Sequence, residues 1–265
     1  MTKTTVNECV TFLLIAKFDT MERLENAMMV IDYLMKHFQA KVMLWEVSPY
    51  KNGFVERLLP TGVEYTFRQD YDTILHRTAY LNEMVLSASS QFVAVWDIDV
   101  IVPPQKVEQC VDLLRKGADF VYPYRFCFLD TSKEIRQMYF ETREMETLMS
   151  NISFMTSLYG PRPVGGAFMA NRRSYIDSGL ENTRFYGWGL EDGERITRWK
   201  AQKRSIQFVD GPLFHLSHPR NINSEYSSDN EGLQKRRVYI QSQRCANHLA
   251  KGRPAFGGKS ANDGE

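Results

Sequence analysis

The feature that most constrains this chain is an alternation of apolar runs with helical patterns. The run Val10–Ala16 (VTFLLIA) is continuously hydrophobic, and over 21–38 apolar residues recur at helical spacing: Leu24, Ala27, Met28, Ile31, Leu34 and Met35. Strand patterns follow at 41–47 and, more weakly, at 63–67. From Asp72 the pattern turns helical through Ile74, Leu75, Ala79, Leu81, Met84, Val85 and Ala88, and Phe92–Trp96 (FVAVW) returns to strand character. Continuous apolar runs suit strands buried on both faces, and strands separated by helices pair in parallel. The expectation is an α/β fold with a mostly parallel, Rossmann-like central sheet flanked by helices. Pro103 and Pro104 stop the next segment, 106–116 reads as an amphipathic helix, and Phe120–Tyr122 as a further strand.

Residues 125–162 break the alternation. The piece EIRQMYFETREMETLMSNISFM has helical periodicity, so an inserted helix or two is expected there rather than sheet. Its Met-rich face serves either core packing or contact with an acceptor. GGAFMANRRSYIDSG then supplies a Gly165-Gly166 turn, a short strand and a helix start, followed by GWGLEDGERITRW and SIQFVDGPLFHLSHPR. No linker composition separates the halves, so residues 1–250 are expected to form a single domain. The Gly-, Lys- and Ser-containing end, 251–265, reads as a flexible tail.

Charge and cysteine usage exclude several classes. Against 33 Lys and Arg stand 32 Asp and Glu, a formal charge of +1, so no global field favours nucleic acid, and an anionic ligand must be met locally. The run Val10–Ala16 is far shorter than the ~20 residues of a membrane span, and no small-residue cleavage site follows it. Cys9, Cys110, Cys127 and Cys245 are widely spaced without any CxxC, which points to reduced thiols and a cytoplasmic setting. The basic stretch QKRRVYIQSQR is read as a solvated helix face, with peripheral contact to the inner face of a membrane as the alternative.

Three short motifs can carry chemistry. In VWDIDVIVP, Asp97 and Asp99 sit among apolar residues where carboxylates are costly, at the carboxyl end of a central strand, the edge at which open α/β sheets bind ligands. Two carboxylates at i and i+2 can divide labour, one on a divalent cation and one on a ribose; the plainer reading is a capped turn before Pro103. In PLFHLSHPR, His215 and His218 lie three apart in a chain with only 5 histidines, a spacing that suits Mn²⁺, Fe²⁺ or Zn²⁺ completed by an Asp carboxylate. The alternative is a surface His218 and a hydrogen-bonded core His215. In GWGLED, Gly187 and Gly189 flank Trp188 in a hinge fit to close over a sugar, and Glu191 and Asp192 offer one carboxylate for an acceptor hydroxyl and another for its proton. The same acidic pair also suits the first turn of a helix.

In the order QDYDTILHRTAYLNE, VWDIDVIVP, GGAFMANRRSY, FYGWGLEDGE and FHLSHPR, the chain resembles the β-1,4-galactosyltransferase type of GT-A glycosyltransferase, with kin among bacterial chondroitin-synthase-like enzymes. The likeness runs from about Val10 to Arg220. It implies a GT-A fold whose nucleotide-binding half covers about 1–123 and whose acceptor and metal half covers about 124–250. It implies that Asp99 ligates Mn²⁺ (or Mg²⁺), with His218 and, as in some relatives, His215 completing the site, while Asp97 lies against the nucleotide. Arg77 then matches an arginine near the diphosphate, Asn82 a residue of the same helix, Gly166 a backbone contact to the donor, and Trp188 the loop tryptophan over donor and acceptor. Glu191 is implied to bind sugar hydroxyls and Asp192 to be the catalytic base. The implied activity is inverting transfer of a galactose-type hexose or N-acetylhexosamine from a UDP-sugar to a saccharide acceptor in polysaccharide or glycan synthesis. The chain departs from the usual GWGGEDD at Leu190 and Gly193, and AKFDTMERL replaces a proline- and arginine-rich nucleotide loop, leaving Asp19 to face the uracil or ribose.

Two rivals come from other classes. A non-catalytic nucleotide-sugar-binding domain would be expected to have lost at least one of Asp97, Asp99, Asp192 and the histidines. A sugar nucleotidyltransferase should carry a glycine-rich basic loop after its first strand, and LLIAKFDTMERLEN has no glycine.

Overall fold

The computed structural model of the chain describes residues 9–38, 40–225 and 229–250; the expected tail at 251–265 lies outside them. Strands β1 (Val10–Ala16), β2 (Lys41–Ser48), β3 (Val63–Gln69) and β4 (Phe92–Trp96) alternate with helices α1 (Met21–His37), the short α2 (Phe54–Leu58) and α3 (Arg77–Ser87). Every residue of β1 and β4 is buried, which is why their sequences run apolar without a polar face. Helix α1 starts where the Thr20 hydroxyl accepts from Arg23 N, and it lays Leu24, Ala27, Val30, Ile31 and Leu34 on the sheet. Helix α3 begins at Arg77 rather than Asp72. The preceding stretch is spent on side-chain turns, with Asp72 N donating to Asp70 Oδ1 and Ile74 N to Asp72 Oδ1, both at 2.9 Å.

After β5 (Val100–Ile101), α4 (Pro104–Arg115) and β6 (Phe120–Tyr122) come β7 (Phe126–Asp130), α5 (Lys133–Thr142), α6 (Met145–Met149) and β8 (Thr156–Ser157). The chain continues through β9 (Ala167–Asn171), α7 (Arg172–Asp177), α8 (Glu191–Ala201), β10 (Ile206–Phe208), β11 (Gly211–His215) and α9 (Asp229–Ala250). The seven-stranded sheet has the order β10-β6-β9-β4-β1-β2-β3, and all its strands run parallel except β9. The part β3-β2-β1-β4 reverses direction of winding between β1 and β4, a switch point at which the two flanking loops diverge and leave a crevice.

A smaller sheet, β5-β11-β7-β8, stands at that crevice. Its presence corrects the expectation of an all-helical insertion at 125–162: α5 and α6 are there, but β7 pairs with β11 over Gly211↔Phe126 to His215↔Asp130. The methionines of the insertion are divided, Met145 and Met155 packing against the core while Met138 and Met149 are exposed. Helix α5 buries Ile135, Arg136 and Tyr139, whereas Met138 is 45% exposed. Arg136 reaches back to α1, where Nε donates to Asn26 Oδ1 at 2.8 Å and Nη2 to Glu25 Oε2 at 2.7 Å. Asn26 in turn donates to Leu216 O at 2.8 Å, so the insertion fixes the segment that follows β11. Among the described residues no helix is long and apolar enough to cross a membrane, and Cys110 and Cys127 form no disulfide.

Candidate active site

Strand β4 ends by delivering two carboxylates to the carboxyl edge of the sheet. Trp96 Nε1 donates to Val100 O at 3.0 Å and folds the Asp97-Ile98-Asp99 turn back on itself. Asp97 N donates to Gly166 O at 2.8 Å, and Leu216 N donates to Asp99 O at 2.7 Å. The turn is thus gripped by the glycine pair before β9 on one side and by the segment after β11 on the other. Ile98 fills the core, and both aspartates line a cleft of ≈ 350 Å³ at the switch point.

Backbone pairing places the first corner of this cleft. Val100 lies opposite His215 in the antiparallel β5–β11 ladder, and His218 follows three residues on. The nearest ligand-type atoms of Asp99, His215 and His218 all lie within 4.8 Å of one another. His218 Nε2 is 3.2 Å and His215 Nε2 3.8 Å from Asp99 Oδ2. Each ring is turned by its other nitrogen. His215 Nδ1 is 2.6 Å from Asp130 Oδ1, and His218 Nδ1 is 2.8 Å from Pro219 O, an atom that only accepts. Both Nδ1 atoms therefore carry a proton, and the nitrogen that each ring turns toward Asp99 is Nε2. Burial alone would push the Asp99 carboxyl up, but His215 and His218, with Arg23, hold it well below the ordinary carboxylate range. Two imidazoles and an ionised carboxylate with oriented rings fit a divalent ion of the Mn²⁺ type.

The opposite corner is carboxylate-rich. Helix α8 begins after Leu190, which takes a left-handed conformation (φ 69°), and its first turn presents Glu191, Asp192 and Glu194 to the positive end of the helix dipole. Glu191 is buried, and its Oε2 has no hydrogen-bond partner among the described residues. Burial first, and then the neighbouring Asp192, push its carboxyl up to about 7 against the pull of Arg77. Asp192 Oδ1 accepts from Arg195 Nη2. Between the corners, Arg77 at the start of α3 donates through Nη2 to Asp97 Oδ1 at 2.5 Å. Burial pushes the Asp97 carboxyl up, with Arg77 opposing and Asp99 and Asp192 adding to the rise.

Arg77, Asp97, Asp99, Gly166, Trp188, Glu191, Asp192, His215 and His218, drawn from five separate stretches of sequence, all line this one cleft. Asn82 stands apart from it. Its amide is spent on the backbone of Glu181, donating to Glu181 O at 3.0 Å and accepting from Glu181 N at 2.8 Å, so it is a pin between α3 and the segment before α8 rather than a donor contact. Asp19 is likewise engaged with protein, accepting from Asn223 Nδ2 at 3.1 Å and lying 3.6 Å from Arg23 Nε.

The sequence reading missed several residues of the cleft. Asp130 went unnoticed because its strand was taken for helix; the signal was an apolar run, FCFLD, closed by an aspartate just as β4 is. Arg23 lines the cleft from the first turn of α1, 8% exposed, with Nε making no hydrogen bond among the described residues. Tyr159 and Arg220 line it as a pair, Arg220 Nη1 donating to the Tyr159 hydroxyl at 2.8 Å.

The cation-type cluster and the carboxylate pair face each other across the switch point of an open α/β sheet, the edge at which such sheets bind ligands. Residues 148–221, which include Trp188, Glu191, Asp192 and both histidines, match the family model described as the N-terminal domain of galactosyltransferase. No curated protein sequence matches the chain. Among solved structures, the chain is similar to a mycobacterial protein (15% identity, TM-score 0.53, 94% of this chain and 76% of the other). It is also similar to the catalytic domain of Drosophila β1,4-galactosyltransferase 7 in complex with xylobiose (12%, 0.50, 86% and 80%). A third is a mannosyltransferase from Pyrobaculum calidifontis in complex with GDP-Man and Mn²⁺ (14%, 0.51, 93% and 65%). At such identities the likeness is one of fold, and the fold is that of GT-A glycosyltransferases.

Proposed function

We propose that the chain is an inverting, metal-dependent glycosyltransferase that moves a galactose-type hexose or N-acetylhexosamine from a UDP-sugar to a saccharide hydroxyl. The observation that carries this reading is the meeting, in one cleft, of a Asp99–His215–His218 donor set with a carboxylate pair on the amino-terminal turn of α8. The Mn²⁺ and GDP-Man of one structural neighbour and the xylobiose of the other support a divalent ion, a nucleotide-sugar donor and a saccharide acceptor here.

A divalent ion held by Asp99, His215 and His218 supplies positive charge where a leaving diphosphate gathers negative charge. Arg77 adds permanent positive charge on the same side, and Asp97 fixes its guanidinium in place. Trp188, on its loop at the cleft, covers the sugars and excludes water. Glu191 engages a sugar hydroxyl through its unpartnered oxygen. Asp192 takes the proton of the acceptor hydroxyl as that oxygen bonds to the anomeric carbon from the face opposite the diphosphate. The bond to the diphosphate breaks in the same displacement, so the configuration inverts and no covalent intermediate forms. The reading extends to synthesis of a cell-surface polysaccharide or glycan by a cytoplasmic enzyme, with the exposed Arg236, Arg237 and Arg244 of α9 resting against an anionic membrane surface.

The test is nucleotide release. Purified protein with Mn²⁺ and a panel of UDP-sugars, with GDP-mannose as contrast, should release UDP slowly alone and faster with a saccharide acceptor. Asp192→Asn should abolish turnover and leave UDP binding nearly intact, and Asp99→Ala should weaken Mn²⁺-dependent UDP binding. Metal-independent activity, or full turnover in Asp192→Asn, would overturn the reading.

A further inference from the structure

Behind the carboxylate corner lies a buried charge relay that the reaction scheme above does not use. Arg195, one turn after Asp192 on α8, is 1% exposed. Its Nη1 donates to both carboxylate oxygens of Glu181 at 3.0 Å, its Nη2 donates to Asp192 Oδ1, and its guanidinium lies 4.3 Å from the ring centre of Phe168. Glu181 is equally buried and is held from behind, accepting from the Tyr175 hydroxyl while Asn82 clamps its backbone.

We infer that Arg195 is a positioning residue for Asp192: anchored by Glu181, it holds Oδ1 so that Oδ2 alone is presented to the acceptor hydroxyl. This rests on the reading of Asp192 as the base. Three observations carry it. A Cβ built on Gly165 would lie 2.7 Å from Asp192 Oδ2, so that oxygen occupies space left open by the missing side chain of Gly165. The guanidinium fork is shared between two carboxylates rather than closed on one, and its Nε is left buried without a hydrogen-bond partner among the described residues. Finally, Glu181 holds Arg195 from behind through two hydrogen bonds to Nη1, which fixes the direction in which Nη2 meets Asp192.

Arg195→Met leaves Glu181 as a lone buried charge and is expected to fold poorly, so the informative variants are Arg195→Lys and the charge-balanced pair Arg195→Met/Glu181→Gln. Turnover is read per chain that binds UDP in the presence of Mn²⁺, which removes unfolded protein from the comparison. The paired variant should keep its donor KM and lose about a hundredfold in kcat, the scale of a misaimed catalytic group. Arg195→Lys, with a point charge that reaches Asp192 but cannot fork, should recover part of that loss. Unchanged kcat per UDP-binding chain in the paired variant, or a loss that falls on donor KM rather than on kcat, overturns the inference while leaving the proposed reaction standing. Undiminished turnover in Asp192→Asn alone overturns the reading of the base, and the inference with it.

Discussion

Asp130 shows how much of a metal-type site lies one atom behind its ligands. Backbone pairing brings His215 beside Asp99, but the 2.6 Å contact of Nδ1 with Asp130 decides which nitrogen faces the cleft. Asp130→Ala should therefore lower Mn²⁺ affinity by roughly 10- to 100-fold, the usual cost of losing such an orienting partner, with the fold retained. Titration of Mn²⁺ by its paramagnetic signal would show it, and unchanged affinity would remove Asp130 from that role. Glu191 makes a different residue-scale prediction, on stability. Its ordinary value is 4.5, and in the folded protein burial and Asp192 raise it to about 7. Between those values the native state holds a proton that the unfolded chain has released. The stabilisation is thus complete below about pH 4.5 and is lost as pH rises through about 7, a decline of up to about 3 kcal/mol. Glu191→Gln carries no such proton, so its urea midpoint should gain on the parent's across that window and hold its lead above it. Parallel curves for the two proteins would mean that Glu191 titrates normally.

At the scale of elements, the glycine pair before β9 separates packing from chemistry. Gly165 has no left-handed backbone, and the only atom a new methyl would strike within 3 Å is Asp192 Oδ2. Gly165→Ala should melt within about 1 kcal/mol of the parent, since nothing in its backbone resists, and lose at least about tenfold in turnover. Gly166 is the reverse case, with φ at 77° and a Cβ that would lie 2.8 Å from Phe128 and 3.1 Å from Leu213, so Gly166→Ala should lose about 1–3 kcal/mol of stability. Melting curves beside activity assays distinguish the two, and equal stability losses would refute the separation. The same contrast explains what the sequence made legible. β1 and β4 declare themselves because burial on both faces leaves runs of seven and five buried residues, apolar but for Thr11. β5 and β8 do not, because two residues carry no period, and β7 does not because its first two residues are exposed and its partner β11 lies some 85 positions away, as the Asp130–His215 contact shows. The ligand-type residues at strand ends were readable by type and position; those at hidden strands, Asp130 above all, were not. Asn82 was misplaced for a related reason, since a helix pattern says nothing of which backbone its amide will meet.

The whole molecule builds its cleft from segments that share few covalent neighbours, and polar stitches draw them together. Asn223, after β11, accepts from Leu75 N at 2.8 Å and donates to Asp19 Oδ2 at 3.1 Å, joining the loops that precede α1 and α3. The Tyr186 hydroxyl donates to Asp72, and Lys235 on α9 donates to Trp188 O, which ties the tryptophan loop to the last helix. A ligand touching the Asp97–Asp99 turn, Arg77 and the histidines at once would add to these stitches only in the folded state, and by mass action it must then raise the melting temperature. At a hundredfold excess over its dissociation constant, UDP with Mn²⁺ should contribute about 2.7 kcal/mol, or roughly 5–11 °C for a chain of this size. Because the diphosphate and the ion share one site in the proposed scheme, either alone should give much less than both together, EDTA should cancel the effect of UDP, and Asp99→Ala should show neither. Equal stabilisation by UDP with and without EDTA would place the nucleotide elsewhere than beside Asp99, His215 and His218, and would dissolve the link between the two corners of the cleft on which the transferase reading depends.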